Sequence, residues 1–154
     1  MKELIDKNDL KILEILKEDS SLSTHKISKK TLIPVTTVNN RIKKLRKDGI
    51  IKKYTVEIDK IKLGFNLSAY IFINLSLTEL KEEGMKVEDL IRIIRKNHLI
   101  ESVEHVSGSI DIVLKMNVRS IEELNDYVVN TLSSYKGIEK TNTLFVLMKN
   151  KSTN

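Results

Sequence analysis

The chain has no cysteine, no tryptophan and a single proline in 154 residues. Without thiols there is no disulfide and no thiolate metal site, which leaves the compartment open on this count. Histidine is scarce too. His25, His98 and His105 are the only three, none in an i, i+4 pair or at metal spacing from a carboxylate, so each is expected at the surface or in packing. With five glycines and no glycine-rich phosphate loop, a nucleotide hydrolase is not supported. No nucleophile stands beside a base, and strand alternation places Glu101 and Glu104 on opposite faces rather than as an acid–base pair. Apolar runs are too short for a membrane span, and the first residues lack the apolar segment of a signal peptide. The expected compartment is the cytoplasm, with no cofactor or metal.

What is present is charge, unevenly spread. Residues 1–53 hold 14 Lys and Arg against 7 Asp and Glu, a net +7, while the remainder holds 13 against 14. The basic excess therefore belongs to the first third, as when one module meets a polyanion and the other does not.

Within that third, Pro34 to Lys53 (PVTTVNNRIKKLRKDGIIKK) is the richest stretch. At 100° per residue, Val35, Val38, Ile42 and Leu45 fall on one side of a helix. Thr36, Asn40, Lys43 and Lys47 fall opposite, flanked by Thr37, Asn39 and Lys44. Hydroxyls and carboxamides can read base edges, while cations such as Arg41, Lys43 and Lys44 neutralise phosphate. A lysine-rich helix face is by itself usually just solvated, so the neighbours matter.

Those neighbours supply two more helices. Asp6 predicts an N-cap with Asp9 at N3, and the helix runs to about Glu18 with Ile12, Leu13 and Leu16 inward. Ser23 or Thr24 caps a short second helix through Lys30, whose clearest core residue is Ile27. Pro34 then suits a helix start and Gly49 a helix stop. Three helices with a tight turn between the last two form a helix-turn-helix unit, whose final helix enters the major groove. Ile50 to Asp59 is expected as a strand with Val56 and Ile58 alternating, and Lys52 and Lys53 at its start are placed for backbone phosphate.

Residues 5–64 resemble the Lrp/AsnC, or feast/famine, family of transcription regulators. The resemblance lies in IDKNDLKILEILKED, KISKKTLIPVTTVNNRIKKLRKDGII and YTVEIDKIKLG, in that order and spacing. Relatives carry glycine and then Ser-Pro at the turn, where Leu32 and Pro34-Val35 stand here, and their reading helix is often richer in arginine. Asparagine pairs bidentately with adenine, so Asn39 or Asn40, with Thr36 and Thr37, predicts an A/T-rich operator. The alternative is that both amides face water or phosphate.

The rest of the chain follows a short link. Ser68–Leu77 is expected as a strand with Ile71, Ile73, Leu75 and Leu77 on one face, and 81–84 as a charged turn. Residues 86–97 form a helix, 101–106 and 110–118 two strands. Ser120 and Glu123 cap a second helix carrying Ile121, Leu124, Val128 and Leu132; Gly137 ends it, and 138–148 is the last strand. The fold class is thus α+β: a three-helix helix-turn-helix domain (1–53), a strand and hinge linker (54–66), and a ferredoxin-like βαββαβ domain (67–154) for effector binding and oligomerisation. Tyr70, Phe72, Val113, Phe145 and Leu147 point away from the helix-covered side. A sheet apolar on both faces needs a partner, which predicts a two-fold dimer suited to a palindromic site, and a tetramer or octamer beyond it.

The family resemblance continues through VEHVSGSIDIVLKMNV, where Gly108 and Asp111 match the family's effector turn. It implies a small-molecule site, often for an amino acid, at Val106, Gly108, Ser109, Ile110 and Asp111 with Thr141 and Thr143 of the last strand. Ser109 and Ile110 replace the family's acid and aromatic. A plain β-turn capped by Asp111 is the other reading of the same residues.

Together these imply a sequence-specific DNA-binding transcription regulator and not an enzyme. Resemblance also supplies a rival, the sirohaem decarboxylases, which share the two-module layout but require histidine or arginine around a tetrapyrrole. A third option is an architectural protein that coats DNA without sequence preference.

Overall fold

The computed structural model describes residues 5–147, which divide between Ile58 and Asp59 into two compact units. In the first, α1 (Lys7–Glu18), α2 (Thr24–Thr31) and α3 (Val35–Lys47) pack around Ile12, Ile27, Ile33 and Val38. Ile15, Leu16, Leu22 and Ile42 close the edges of this small core. Asp6 caps α1 by accepting from the amides of Asn8 and Asp9 at 2.8 and 3.0 Å, and Asp9 returns a bond to the Asp6 amide at 3.0 Å. Ser23 caps α2. Pro34 stands one position earlier than a first helical residue, as the extended residue preceding Val35. Gly49, with φ 72°, turns the chain so that the amides of Ile50 and Ile51 both bond the Leu45 carbonyl.

Residues 52–59 carry no regular secondary structure and belong to no sheet, so the strand expected over 50–59 is not formed. A strand exists only where a neighbouring backbone completes its ladder, and among the described residues none pairs with this segment. Tyr54, Val56 and Ile58 are all exposed. The guanidinium of Arg46 lies 5.7 Å from the centre of the Tyr54 ring.

The second unit is one antiparallel sheet built from β1 (Leu67–Leu75), β2 (Ile100–His105), β3 (Ile112–Val118) and β4 (Ile138–Phe145) in the order β2-β3-β1-β4. With its crossing helices this is the ferredoxin-like arrangement the alternation predicts. Ile71, Ile73, Ile112, Leu114 and Met116 line one face, covered by Leu90 and Ile94 of α5 (Val87–Ile94) and by Leu124, Tyr127 and Leu132.

Several particulars differ from the sequence pattern. Leu77 is not a strand residue: β1 stops at Leu75, Ser76 caps a short α4 (Leu77–Glu82), and Leu77 is 66% exposed. The charged turn expected at 81–84 starts inside that helix, which ends at Glu82, and only Glu83 and Gly84 form the turn itself. The final helix is α6 (Ile121–Asp126), continued by a π-helical turn over Tyr127–Thr131 and a 3-10 turn over Leu132–Ser134. Leu124, Tyr127 and Leu132 are buried, whereas Ile121 at the helix start is exposed. Gly137 sits where a Cβ would press into Leu80 and has φ 86°, so only glycine fits.

Register corrects two facings. Phe145 pairs with Ala69 and so lies on the helix side of the sheet; its neighbour Leu144, opposite Tyr70, takes the open face. Leu147 is exposed beyond β4, and Met148, expected as that strand's last residue, lies outside the described residues. Glu101 occupies a bulge between Ile100, which pairs with Met116, and Ser102, which pairs with Lys115. The extra residue resets the alternation, and Glu101 reaches Lys115 and Asn117 on the open face, the side that Glu104 shares through its pairing with Val113.

Candidate nucleic-acid interface and effector turn

The three-helix core fixes which side of α3 is free. Val38 and Leu45 are buried and Val35 and Ile42 half-buried, so the amphipathic reading of the helix holds. On the other side Thr36, Asn39, Asn40, Lys43, Lys44 and Lys47 are exposed and Thr37 is half-buried. Lys52 and Lys53 are exposed just beyond the Gly49 turn. All of these belong to the first unit. Lys29 and Lys30, which no motif singles out, are exposed in the last turn of α2.

Arg41 is different. Its Nη1 donates to Asp6 Oδ2 at 2.7 Å and to Asp9 Oδ1 at 2.9 Å, and Asp9 is buried. The bonds from Asp9 and Asp6 hold the guanidinium charged, raising its already high pKa. The Asp6 carboxyl is held below its ordinary range, first by the Asp9 amide and then by Arg41. Nη1 of Arg41 is therefore engaged inside the unit. Sequence spacing misses this because the partners lie 32 and 35 residues away.

Between α2 and α3, Leu32 adopts φ 59°, a left-handed conformation that disfavours any side chain but glycine's, and is 91% exposed. Ser28 Oγ donates to the Ile33 carbonyl at 2.6 Å and Thr31 Oγ1 to the Ile27 carbonyl at 2.8 Å, tying the turn down.

In the second unit the turn of residues 106–111 is fastened to the end of β1. The Val106 amide bonds the Asp111 carbonyl at 2.9 Å, and the Asp111 amide bonds the Ile73 carbonyl at 3.0 Å. The Asp111 carboxylate accepts from the Leu75 amide at 2.8 Å, and Asn74 Nδ2 donates to the Ser109 carbonyl at 2.7 Å. Gly108 and Ser109 are exposed at the tip, Ile110 half-buried, and a Cβ at Gly108 would meet nothing within 4 Å. Thr141 stands opposite Ile73 and Thr143 opposite Ile71, both half-buried on the helix side of β4. Within one chain they flank the same strand as the turn without sharing its outer corner.

The open face of the sheet carries Tyr70, Phe72, Val113 and Leu144 in paired register. Beside them Ser68 Oγ donates to Asn117 Oδ1 at 2.8 Å, Asn117 Nδ2 to Glu101 Oε2 at 2.7 Å, and Lys115 Nζ to Glu101 Oε1 at 2.7 Å. The Glu101 bond keeps Lys115 protonated above its ordinary range. His25, His98 and His105 are all exposed. Among the described residues no group of three or more His, Cys, Asp or Glu could hold a metal ion, and no helix is long and apolar enough to cross a membrane.

A helix-turn-helix unit with a cationic reading face, followed by a ferredoxin-like unit with a fastened turn, defines a two-domain DNA-binding regulator. Residues 5–52 match the winged helix-turn-helix DNA-binding model, and residues 68–154 match the Lrp/AsnC ligand binding domain. The chain belongs to the Lrp/AsnC family of transcriptional regulators. It is 42% identical to an uncharacterised HTH-type transcriptional regulator of Pyrococcus furiosus over 90% of this chain and 88% of that one. It is 33% identical to the HTH-type transcriptional regulator FL11 of the same organism, over 99% of this chain and 96% of that one. Among solved structures, Bacillus subtilis LrpC superposes with a TM-score of 0.83 at 29% identity, covering 99% of this chain and 100% of that one. A Neisseria meningitidis regulator solved as its L-Met complex superposes at 0.87 with 25% identity, covering 97% and 94%.

Proposed function

We propose that this regulator is cytoplasmic, has no enzymatic activity, and reads an A/T-rich pseudo-palindrome as a dimer or higher even oligomer. The observation that carries the proposal is the free face of α3, where two carboxamides and two hydroxyls lie among lysines on a helix whose other side is packed. Asn39 or Asn40 pairs with adenine edges and Thr36 and Thr37 assist. Lys43, Lys44, Lys47, Lys52 and Lys53 neutralise phosphates. Arg41 is left out of this set, because its charge is spent on Asp6 and Asp9.

The dimer joins two open sheet faces through Tyr70, Phe72, Val113 and Leu144, since apolar side chains clustered on one exposed face favour a partner. An amino-acid-like effector is taken at the turn of Val106, Gly108, Ser109, Ile110 and Asp111, with Thr141 and Thr143 from the same or a neighbouring subunit. The complex of the Neisseria relative with L-Met supports that class of ligand. Because Asp111 is engaged by the Leu75 amide, the ligand meets backbone groups and the Ser109 hydroxyl before it meets that carboxylate.

Selection of bound sequences from random duplex DNA tests the proposal. An A/T-rich two-fold consensus is expected, with affinity falling steeply as salt rises because several phosphate contacts release counterions. A G/C-rich consensus, or uniform binding without any consensus, overturns it. Asn40→Ala should relax preference at one position by about 1–3 kcal/mol, whereas Lys43→Ala should weaken all sequences alike.

A further inference from the structure

Arg41 lies in the middle of the helix proposed to read DNA, yet points away from the reading face. A single nitrogen, Nη1, is shared between Asp6 Oδ2 and Asp9 Oδ1 at 2.7 and 2.9 Å. The remaining oxygens of those carboxylates are taken as well, Asp6 Oδ1 by the amides of Asn8 and Asp9, Asp9 Oδ2 by the amide of Asp6. Asp9 is 4% exposed, so its charge has almost no water to lean on and depends on the guanidinium. The cap of α1 and the rotation of α3 about its own axis are therefore fixed by one cluster. Rotation matters because adjacent helix positions differ by about 100°, so a modest turn of α3 would move Asn39 and Asn40 off the base edges.

We propose that Arg41, Asp6 and Asp9 form a positioning clasp for the reading helix, setting sequence discrimination without touching DNA. It rests on the DNA-reading proposal above and adds residues that proposal leaves out. The clasp and a direct phosphate contact by Arg41 make opposite predictions for the acids. Removing a negative charge from a DNA-binding surface should by electrostatics alone tighten binding. Loss of a clasp should loosen it.

The test uses the full chain with its selected duplex and a scrambled duplex of equal length, comparing wild type with Asp6→Asn, Asp9→Asn, Arg41→Gln and the Arg41→Gln/Asp9→Asn double variant. Asp6 is the exposed member and asparagine caps a helix as well as aspartate, so Asp6→Asn withdraws one charge from the clasp without removing the cap of α1. Expected is about a fivefold to tenfold fall in the ratio of selected to scrambled affinity for Asp6→Asn, with an unchanged salt slope. The double variant should lose no more than the worse single. Ile12→Val is the control for stability alone: it lowers the melting temperature but leaves the ratio where it was. The clasp is overturned by unchanged or tighter discrimination in Asp6→Asn. It is equally overturned by an Arg41→Gln salt slope shallower by about one phosphate, which marks a direct contact. Wild type that fails to separate the two duplexes sinks the DNA-reading proposal itself, a result distinct from either.

Discussion

The Asp111 carboxylate accepts a 2.8 Å hydrogen bond from the Leu75 amide at the point where the pairing of β1 with β4 shifts register. The bulge between Asn74 and Leu75 takes that amide out of the ladder, and a side chain 36 positions further along the chain satisfies it. Asp111 thus has a structural duty that holds with or without an effector.

Asp111→Ala should accordingly destabilise the second unit by about 1–3 kcal/mol, the cost of leaving a half-buried amide unpaired. Asp111→Asn keeps one acceptor oxygen and should retain most of the stability. Thermal unfolding, with hydrogen exchange at the Leu75 amide, separates the two; equal melting temperatures for Asp111→Ala and wild type would contradict the assignment.

Leu32 holds a left-handed backbone with its side chain in water. Relieving that conformation gains about 1–2 kcal/mol, while glycine returns about 0.5–1 kcal/mol through chain entropy. Leu32→Gly should therefore stabilise the helix-turn-helix unit by roughly 0.5 kcal/mol. Denaturant melting followed by helical circular dichroism measures it, and a loss of stability would show that Leu32 contributes packing the structure does not reveal.

Tyr127 is buried in the π-helical turn, and its hydroxyl has no hydrogen-bond partner among the described residues. Burial, with the neighbouring Tyr135, raises its pKa above 10.0. A raised folded value means that the protonated phenol is favoured by folding: its contribution is complete below pH 10 and is lost as pH climbs toward the folded value. Tyr127→Phe should be neutral or stabilising by about 1 kcal/mol at pH 7 and should blunt the decline above pH 10. Melting temperature against pH for both proteins checks the sign. A marked loss at pH 7 would reveal a bond to the hydroxyl.

Phe72 occupies the centre of the open sheet face, paired with Val113 on one side and Asn142 on the other. Phe72→Glu should place like charges against each other across a two-fold axis and yield monomers, while the melting of the isolated sheet changes little. Sedimentation at micromolar concentration reads the outcome. Dimers that survive the substitution would move the interface elsewhere.

Local chemistry was enough for the caps at Asp6, Ser23 and Ser120, the buried side of α3, the βαββαβ order and the exposure of the α3 lysines. Each follows from a periodicity or a turn residue that acts within a few positions. Long-range partners were needed for the rest. Arg41 reads as one more cation until Asp6 and Asp9 fold against it. Glu101 changes faces because a bulge inserts one residue against β3. Tyr127 lies three positions after buried Leu124 and enters the core on that helical face, while Ile121 on the same helix is exposed, a choice that only packing against the sheet makes. The apolar alternation at Tyr54, Val56 and Ile58 looks like a strand, but a ladder needs a second backbone alongside. Sequence alone determined most of the elements and the charge they display; tertiary structure decided which charges are already paired, because an ion pair exists only once distant carboxylates and guanidinium meet.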